Sequence, residues 1–197
     1  MSWLIPAVLT CLAAGLVLWN RGLQVPGALV LGAGFALLFV LGRGLESNRD
    51  SAWQEAAARL RGTFRSGPGC AGLDRFGGAP WKEWASDGEL QCSRVIEGEV
   101  DGVPYALVQV RYSVRERRGE EHPDSWYEVT VAVVARPGAA AAGPLSPVRT
   151  REGYAGVQNG RALFLWKQGS PGAGASLPAG DLPGLLEEAR STSKAPA

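Results

Sequence analysis

Apolar and polar positions divide the chain into unlike regions. From Trp3 to Trp19, and again from Val25 to Leu41, no charged residue occurs, and the polar bend Asn20-Arg21-Gly22-Leu23-Gln24 joins the two runs. Each run is about 17 residues, the short end of what a helix needs to cross a hydrocarbon core. Their Leu, Ile, Val and Phe residues favour insertion by roughly 0.3 to 0.6 kcal/mol each, which outweighs Thr10 and the glycines. Pro6 and Pro26 fall in first turns, where a missing N–H costs little. Trp3 and Trp19 bracket the first run as interfacial aromatics do. The pattern predicts a helical hairpin that crosses a membrane twice. Two buried helices of a soluble protein would be the bland alternative. A signal peptide would need a basic stretch before Trp3 and a small-x-small cleavage site, and neither is present.

Small residues suggest how the hairpin packs. Ala7, Cys11 and Gly15 recur every four residues on the first helix, and Ala28, Gly32 and Ala36 do so on the second, the spacing of a smooth stripe where helices approach. A bend centred between Arg21 and Gly22 would pair Ala7 with Ala36, Cys11 with Gly32 and Gly15 with Ala28. Glycines 42 and 44 are expected to break the second helix. A new one then starts at the capping-box patterns beginning at Ser47 and Ser51. Its apolar stripe is Trp53, Ala56, Ala57 and Leu60, with Glu55 and Arg59 paired outside and Gly62 ending it. That stripe is expected to lie on the domain's own sheet.

Period-two alternation dominates further on. Leu90 to Val100, Asp101-Gly102 and Val103 to Val114 read as a hairpin with a type I′ turn. Ala106, Val108, Val110, Tyr112 and Val114 face one way, towards a single buried face, and Gln109, Arg111 and Ser113 the other. Trp126 to Arg136 is a third strand, with Tyr127, Val129, Val131 and Val133 inward and Glu128 and Thr130 outward. Tyr154 to Gln158, Asn159-Gly160 and Arg161 to Lys167 form a second hairpin, also expected to turn through I′. Asp181-Leu182-Pro183 opens a closing helix through Arg190. The expected fold is a membrane α-helical hairpin over 1–44 followed by a small α+β domain over 45–190, with an antiparallel sheet of about five strands and a disordered tail over 191–197.

Composition narrows the function classes. The net charge of +1 over 197 residues gives no global pull towards nucleic acid. Arg outnumbers Lys, and Ala, Gly and Pro abound, a composition typical of a high-GC bacterial genome. Of three cysteines, Cys11 lies in the first apolar run, Cys70 in a Gly-rich loop and Cys92 at a strand start. Without C-x-x-C spacing, and with a single histidine, a zinc site is not indicated. That residue, His122, sits in a mixed-charge tip between strands, where neither a metal nor a catalytic partner has rigid support. No cofactor is expected. Glycines 67, 69, 77 and 78 lack the order of a phosphate loop.

Arg43, Arg49, Arg59 and Arg61 follow the second run, while the bend has Arg21 alone. The positive-inside bias then places the N-terminus and the domain in the cytoplasm, with the chain multi-pass in a bacterial inner membrane. In that compartment Cys70 and Cys92 would be free thiols; with the topology reversed they become a candidate disulfide.

The helix residues Trp53, Ala57, Leu60, Gly62 and Phe64, the hairpin residues Ile96, Gly98 and Gly102, and the strand residues Thr130, Val131 and Ala132 carry a resemblance. In that order the chain resembles uncharacterised actinobacterial two-helix membrane proteins with a C-terminal α+β domain. The likeness covers about half the chain and implies no activity. The preferred expectation is a membrane-tethered protein-binding or scaffolding module, with the lipid bilayer and a protein partner or second copy as its contacts and Trp81, Trp84 and Trp126 as its partner surface. The alternative is a membrane-proximal enzyme with Cys70 or Cys92 as nucleophile beside Arg94.

Overall fold

The computed structural model describes residues 4–70, 73–76, 80, 89–114, 125–136, 143–169 and 176–194. Trp81, Trp84, the tip that holds His122, and residues 195–197 of the tail lie outside them. Two compact units emerge, Met1–Arg49 and Asp50–Ala197.

In the first unit, α1 (Leu4–Asn20) turns back into α2, which runs from Gln24 to Arg59. Within α1 the Thr10 hydroxyl donates to the Pro6 carbonyl at 2.9 Å, so the one hydroxyl of that helix is satisfied internally. The turn is closed by Gly22 N–H on the Trp19 carbonyl (3.1 Å) and Leu23 N–H on the Leu18 carbonyl (3.1 Å), with Gly22 at φ 81°. Only glycine adopts that backbone at no steric cost.

Because α2 starts directly after Leu23, the helices meet in a register about three residues from the expected one. A Cβ at Gly15 would stand 2.7 Å from Leu31, one at Gly27 2.8 Å from the Trp19 backbone, and one at Gly34 2.7 Å from Leu12. Gly15 therefore faces Leu31 rather than Ala28, and Gly27 and Gly34 take the close-approach places foreseen for Ala28, Gly32 and Ala36. Ala7, Ala28, Gly32 and Ala36 are exposed, Cys11 is half-buried, and nothing lies within 4 Å of a Cβ at Gly32.

The second helix also corrects an expectation. It runs unbroken through Gly42 and Gly44, and Ser47 and Ser51 are interior residues rather than caps. Interior glycine weakens a helix by about 1 kcal/mol without terminating it. By length and composition α2 is the one described helix long and apolar enough to cross a membrane.

In the second unit, seven strands form one antiparallel sheet: β1 (Thr63–Ser66), β2 (Leu90–Val100), β3 (Val103–Val114), β4 (Ser125–Ala135), β5 (Ser146–Pro147), β6 (Tyr154–Gln158) and β7 (Ala162–Lys167), in the order β1-β2-β3-β4-β7-β6-β5. A 3-10 turn spans Leu73–Phe76, a second spans Ala179–Asp181, and α3 (Leu182–Lys194) closes the fold. Asp101 (φ 54°) and Gly102 (φ 76°) make the left-handed turn expected between β2 and β3. The second hairpin turns differently. Among the described residues neither Asn159 nor Gly160 has positive φ, and the Asn159 side chain accepts the N–H groups of Arg161 (2.7 Å) and Ala162 (2.8 Å).

Both faces of the sheet are covered, not one. On the first, Ile96, Tyr105, Leu107, Ala132, Val134, Leu163 and Leu165 meet Trp53, Ala56 and Ala57 of α2 and Leu182, Leu185, Leu186 and Ala189 of α3. On the second, Val95, Ala106, Val108, Val110, Val129, Val131 and Val133 lie with Leu73 and Phe76. Removing such side chains from water supplies the main driving force, roughly 25 cal/mol per Å² of apolar surface. The helix end is fixed by a strand residue: the Tyr105 hydroxyl donates to the Leu60 carbonyl at 2.9 Å.

Candidate functional site

A bulge in β2 decides where its polar residues point. Pairing shifts between Cys92, opposite Val110, and Arg94, opposite Gln109, so Ser93 is the extra residue. Cys92 and Arg94, which unbroken alternation would put on one face, are thereby sent to opposite faces. Cys92 enters the second core, and Arg94 joins Gln109 and Thr130 on the first face, beyond the apolar part.

There a polar belt crosses three strands. Arg94, only 4% exposed, donates from Nε to Asp50 Oδ1 on α2 at 2.7 Å and from Nη1 to Gln109 Oε1 at 2.6 Å. The same Gln109 oxygen accepts the Ser93 hydroxyl at 3.2 Å, and its Nε2 donates to Glu128 Oε1 (2.6 Å) and Ser176 Oγ (3.0 Å). Ser176 Oγ donates to Glu128 at 2.6 Å, and Thr130 Oγ1 receives the Leu177 N–H at 3.0 Å. A buried guanidinium is tolerated because such partners offset the loss of water around its charge. The belt holds α2, β2, β3, β4 and the segment before α3 in one arrangement. Its signature in the sequence was the polar alternation at 109, 128 and 130, whereas Asp50 and Ser176 carried no local signal.

Beside the belt the sheet ends in aromatic residues. Trp126, 39% exposed, is the sole exposed large hydrophobic of this unit among the described residues, and the Arg111 guanidinium lies 4.6 Å from its ring centroid. On the other face Tyr112 and Tyr127 stack with centroids 5.5 Å apart. Burial, and then the neighbouring Tyr127, push the Tyr112 phenol above its ordinary value of 10.0. Burial alone raises Tyr105.

Cys70 and Cys92 are joined as a disulfide with Cα atoms 5.2 Å apart, and Cys92 is fully buried. The pairing that the sequence left open is thus made. A cystine has no thiolate to attack a substrate, and Arg94 lies across the sheet from Cys92. Among the described residues no group of three or more His, Cys, Asp and Glu is placed to hold a metal. A groove of about 420 Å³ runs between the end of α2, the β2–β3 turn and α3. Arg59, Arg61 and Arg190 on its walls are balanced by Glu99, Asp101 and Glu187, and Arg190 is paired with Asp101, so it has no net attraction for an ion.

These features define a class: N-terminal apolar helices followed by a seven-stranded antiparallel α+β domain closed by a disulfide. No protein-family model matches the chain, and comparison with curated proteins and with solved structures finds no match.

Proposed function

We propose that the chain is a membrane-anchored binding or scaffolding module, in which α1 and α2 cross the bilayer as a hairpin and the sheet domain engages a protein partner. The observation that carries the anchor is where apolar surface stays uncovered. Among the described residues, every exposed large hydrophobic other than Trp126 falls between Leu9 and Leu45. A soluble surface does not sustain an apolar band of that extent, whereas hydrocarbon does. At 17 residues α1 rises about 26 Å, enough for a thin or locally thinned bilayer.

The partner half of the proposal is supported by Trp126 and Arg111, an exposed pair of the residue types that anchor interfaces. The arginines after the second apolar run, from Arg43 to Arg61, favour a cytoplasmic domain, and the Cys70–Cys92 cystine opposes it.

Two readouts test the proposal. Full-length protein mixed with anionic lipid vesicles should float with them through a density gradient, and recovery at the bottom would reject the anchor. A photo-crosslinking amino acid at position 126 in native membranes should give a discrete adduct; no adduct above that from an exposed control such as Arg149 would reject the partner surface.

A further inference from the structure

We infer that the Cys70–Cys92 cystine is formed on the oxidising side of the membrane, by exchange with the disulfide of a dithiol oxidase, and that the sheet domain therefore lies outside the cytoplasm. The inference rests on the membrane-anchored reading for its two sides. Geometry supports the bond itself. The Cα separation of 5.2 Å falls within the range a disulfide spans without backbone movement. The bulge at Ser93 turns Cys92 into the second core, towards the segment that carries Cys70.

The bond has a structural task. Leu73 and Phe76 of the 3-10 turn are buried against the second sheet face, and Cys70 packs beside them. They are held at one end by the cystine and at the other by Asn159 Nδ2, which donates to the Phe76 carbonyl at 3.1 Å. Arg75 meets Glu97 between them at 3.3 Å. A fold that fastens a strap over a buried face with a cystine is suited to an oxidising compartment, because cytoplasmic reductants keep such pairs as thiols.

Charge allows this orientation. The positive-inside bias acts on short loops, whereas long domains translocate largely regardless of charge. The four arginines from Arg43 to Arg61 belong to a segment that continues into the whole sheet domain, so they have less weight than their number suggests. The one short loop between the helices has Arg21, and reversing the earlier assignment puts it in the cytoplasm.

The chemistry closes without remainder. Cys70 or Cys92 thiolate attacks the oxidase disulfide and forms a mixed disulfide with release of one oxidase thiolate. The second thiolate of the pair then attacks the bonded cysteine's sulfur, forming the S–S bond and releasing the other oxidase thiolate. Two thiols are oxidised, one disulfide is reduced, and the two protons pass to the oxidase thiolates.

The test uses the full chain in its native membrane. Acid-quenched cells are denatured and treated with a polyethylene-glycol maleimide before and after reduction. One adduct, on Cys11, is expected before reduction and three after it; three adducts without reduction would overturn the cystine. In intact spheroplasts an added protease should remove a C-terminal tag. A tag cleaved only after lysis would overturn the placement. Flotation of the same membranes reads the anchor separately: a chain left at the bottom overturns the anchored reading while the maleimide count still judges the cystine.

Discussion

Asp50 on α2 and Arg94 on β2 are joined by a 2.7 Å hydrogen-bonded ion pair, 44 residues apart in sequence. Arg94 is almost wholly buried, while the Asp50 side chain keeps 36% of its surface in water. Solvent thus screens one end of the pair, and the buried end dominates the energetics. Arg94→Ala should leave the Asp50 carboxylate and the Gln109 amide oxygen without this donor and cost about 2–3 kcal/mol, below the usual range for breaking a fully buried pair. Arg94→Met, which keeps the stem and loses the charge, should cost less. Urea unfolding of the full chain in detergent measures both; equal losses would show that charge, not packing, accounts for the effect.

Tyr105 predicts an alkaline limb of stability. Burial raises its phenol above 10.0, so the folded state holds the proton after the unfolded chain has released it. Stability from this group is therefore complete below pH 10 and falls as pH rises above it. Tyr105→Phe should lose about 1 kcal/mol at pH 8, from the bond to the Leu60 carbonyl. It should also lose part of the decline above pH 10, the rest belonging to Tyr112, whose phenol is raised as well. Denaturant midpoints between pH 8 and 11 decide this; an unchanged alkaline slope in the variant would contradict it.

Two glycines sit against that same ring. A Cβ at Gly98 would stand 2.6 Å from the Tyr105 hydroxyl oxygen, and one at Gly62 2.9 Å from the Glu97 carbonyl, which is backbone and yields little. Gly98→Ala and Gly62→Ala should each destabilise by about 1–3 kcal/mol. Gly44→Ala meets nothing within 4 Å inside α2 and should stabilise by up to about 1 kcal/mol. Thermal unfolding of the three variants checks the ordering.

The hairpin register gives a fourth contrast. Gly27→Leu would press into the Trp19 backbone and Gly15→Leu into Leu31, whereas Gly32→Leu has open space. The first two should lower the midpoint of unfolding in micelles by an amount corresponding to about 1–3 kcal/mol, and the third should change it little. Equal effects at 27 and 32 would contradict the register.

Removing the cystine should weaken the strap. The double substitution Cys70→Ala with Cys92→Ala is expected to cost about 2–4 kcal/mol, because the unfolded chain regains the freedom of the 22-residue separation between the two cysteines. Limited proteolysis should then cut near the Leu73–Phe76 turn faster than in the parent; identical cleavage would contradict the strap's dependence on the bond.

The sequence revealed what is local. β2 and β3 were readable to the residue, because Asp101-Gly102 imposes a left-handed turn and alternation does the rest. The strands of the second hairpin were plain to within one residue, β7 starting at Ala162 rather than Arg161, yet its turn was not, since Asn159 answers to the distant Phe76 carbonyl as well as to its neighbours. β1 escaped notice because four residues become a strand only by pairing with β2. Gly42 and Gly44 looked like a stop and are not one, and the helix contacts follow the turn at Gly22 rather than the spacing of small residues. Of the candidate surface, Trp126 was legible as an aromatic at a strand start, but the belt from Asp50 to Ser176 spans elements that no periodicity connects.

Extraction of native membranes with alkaline carbonate asks whether the apolar band from Leu9 to Leu45 lives in lipid. A chain whose two helices cross the bilayer stays in the membrane pellet together with integral markers. Release of the full-length protein into the carbonate supernatant would contradict the anchor, and with it the membrane-tethered module.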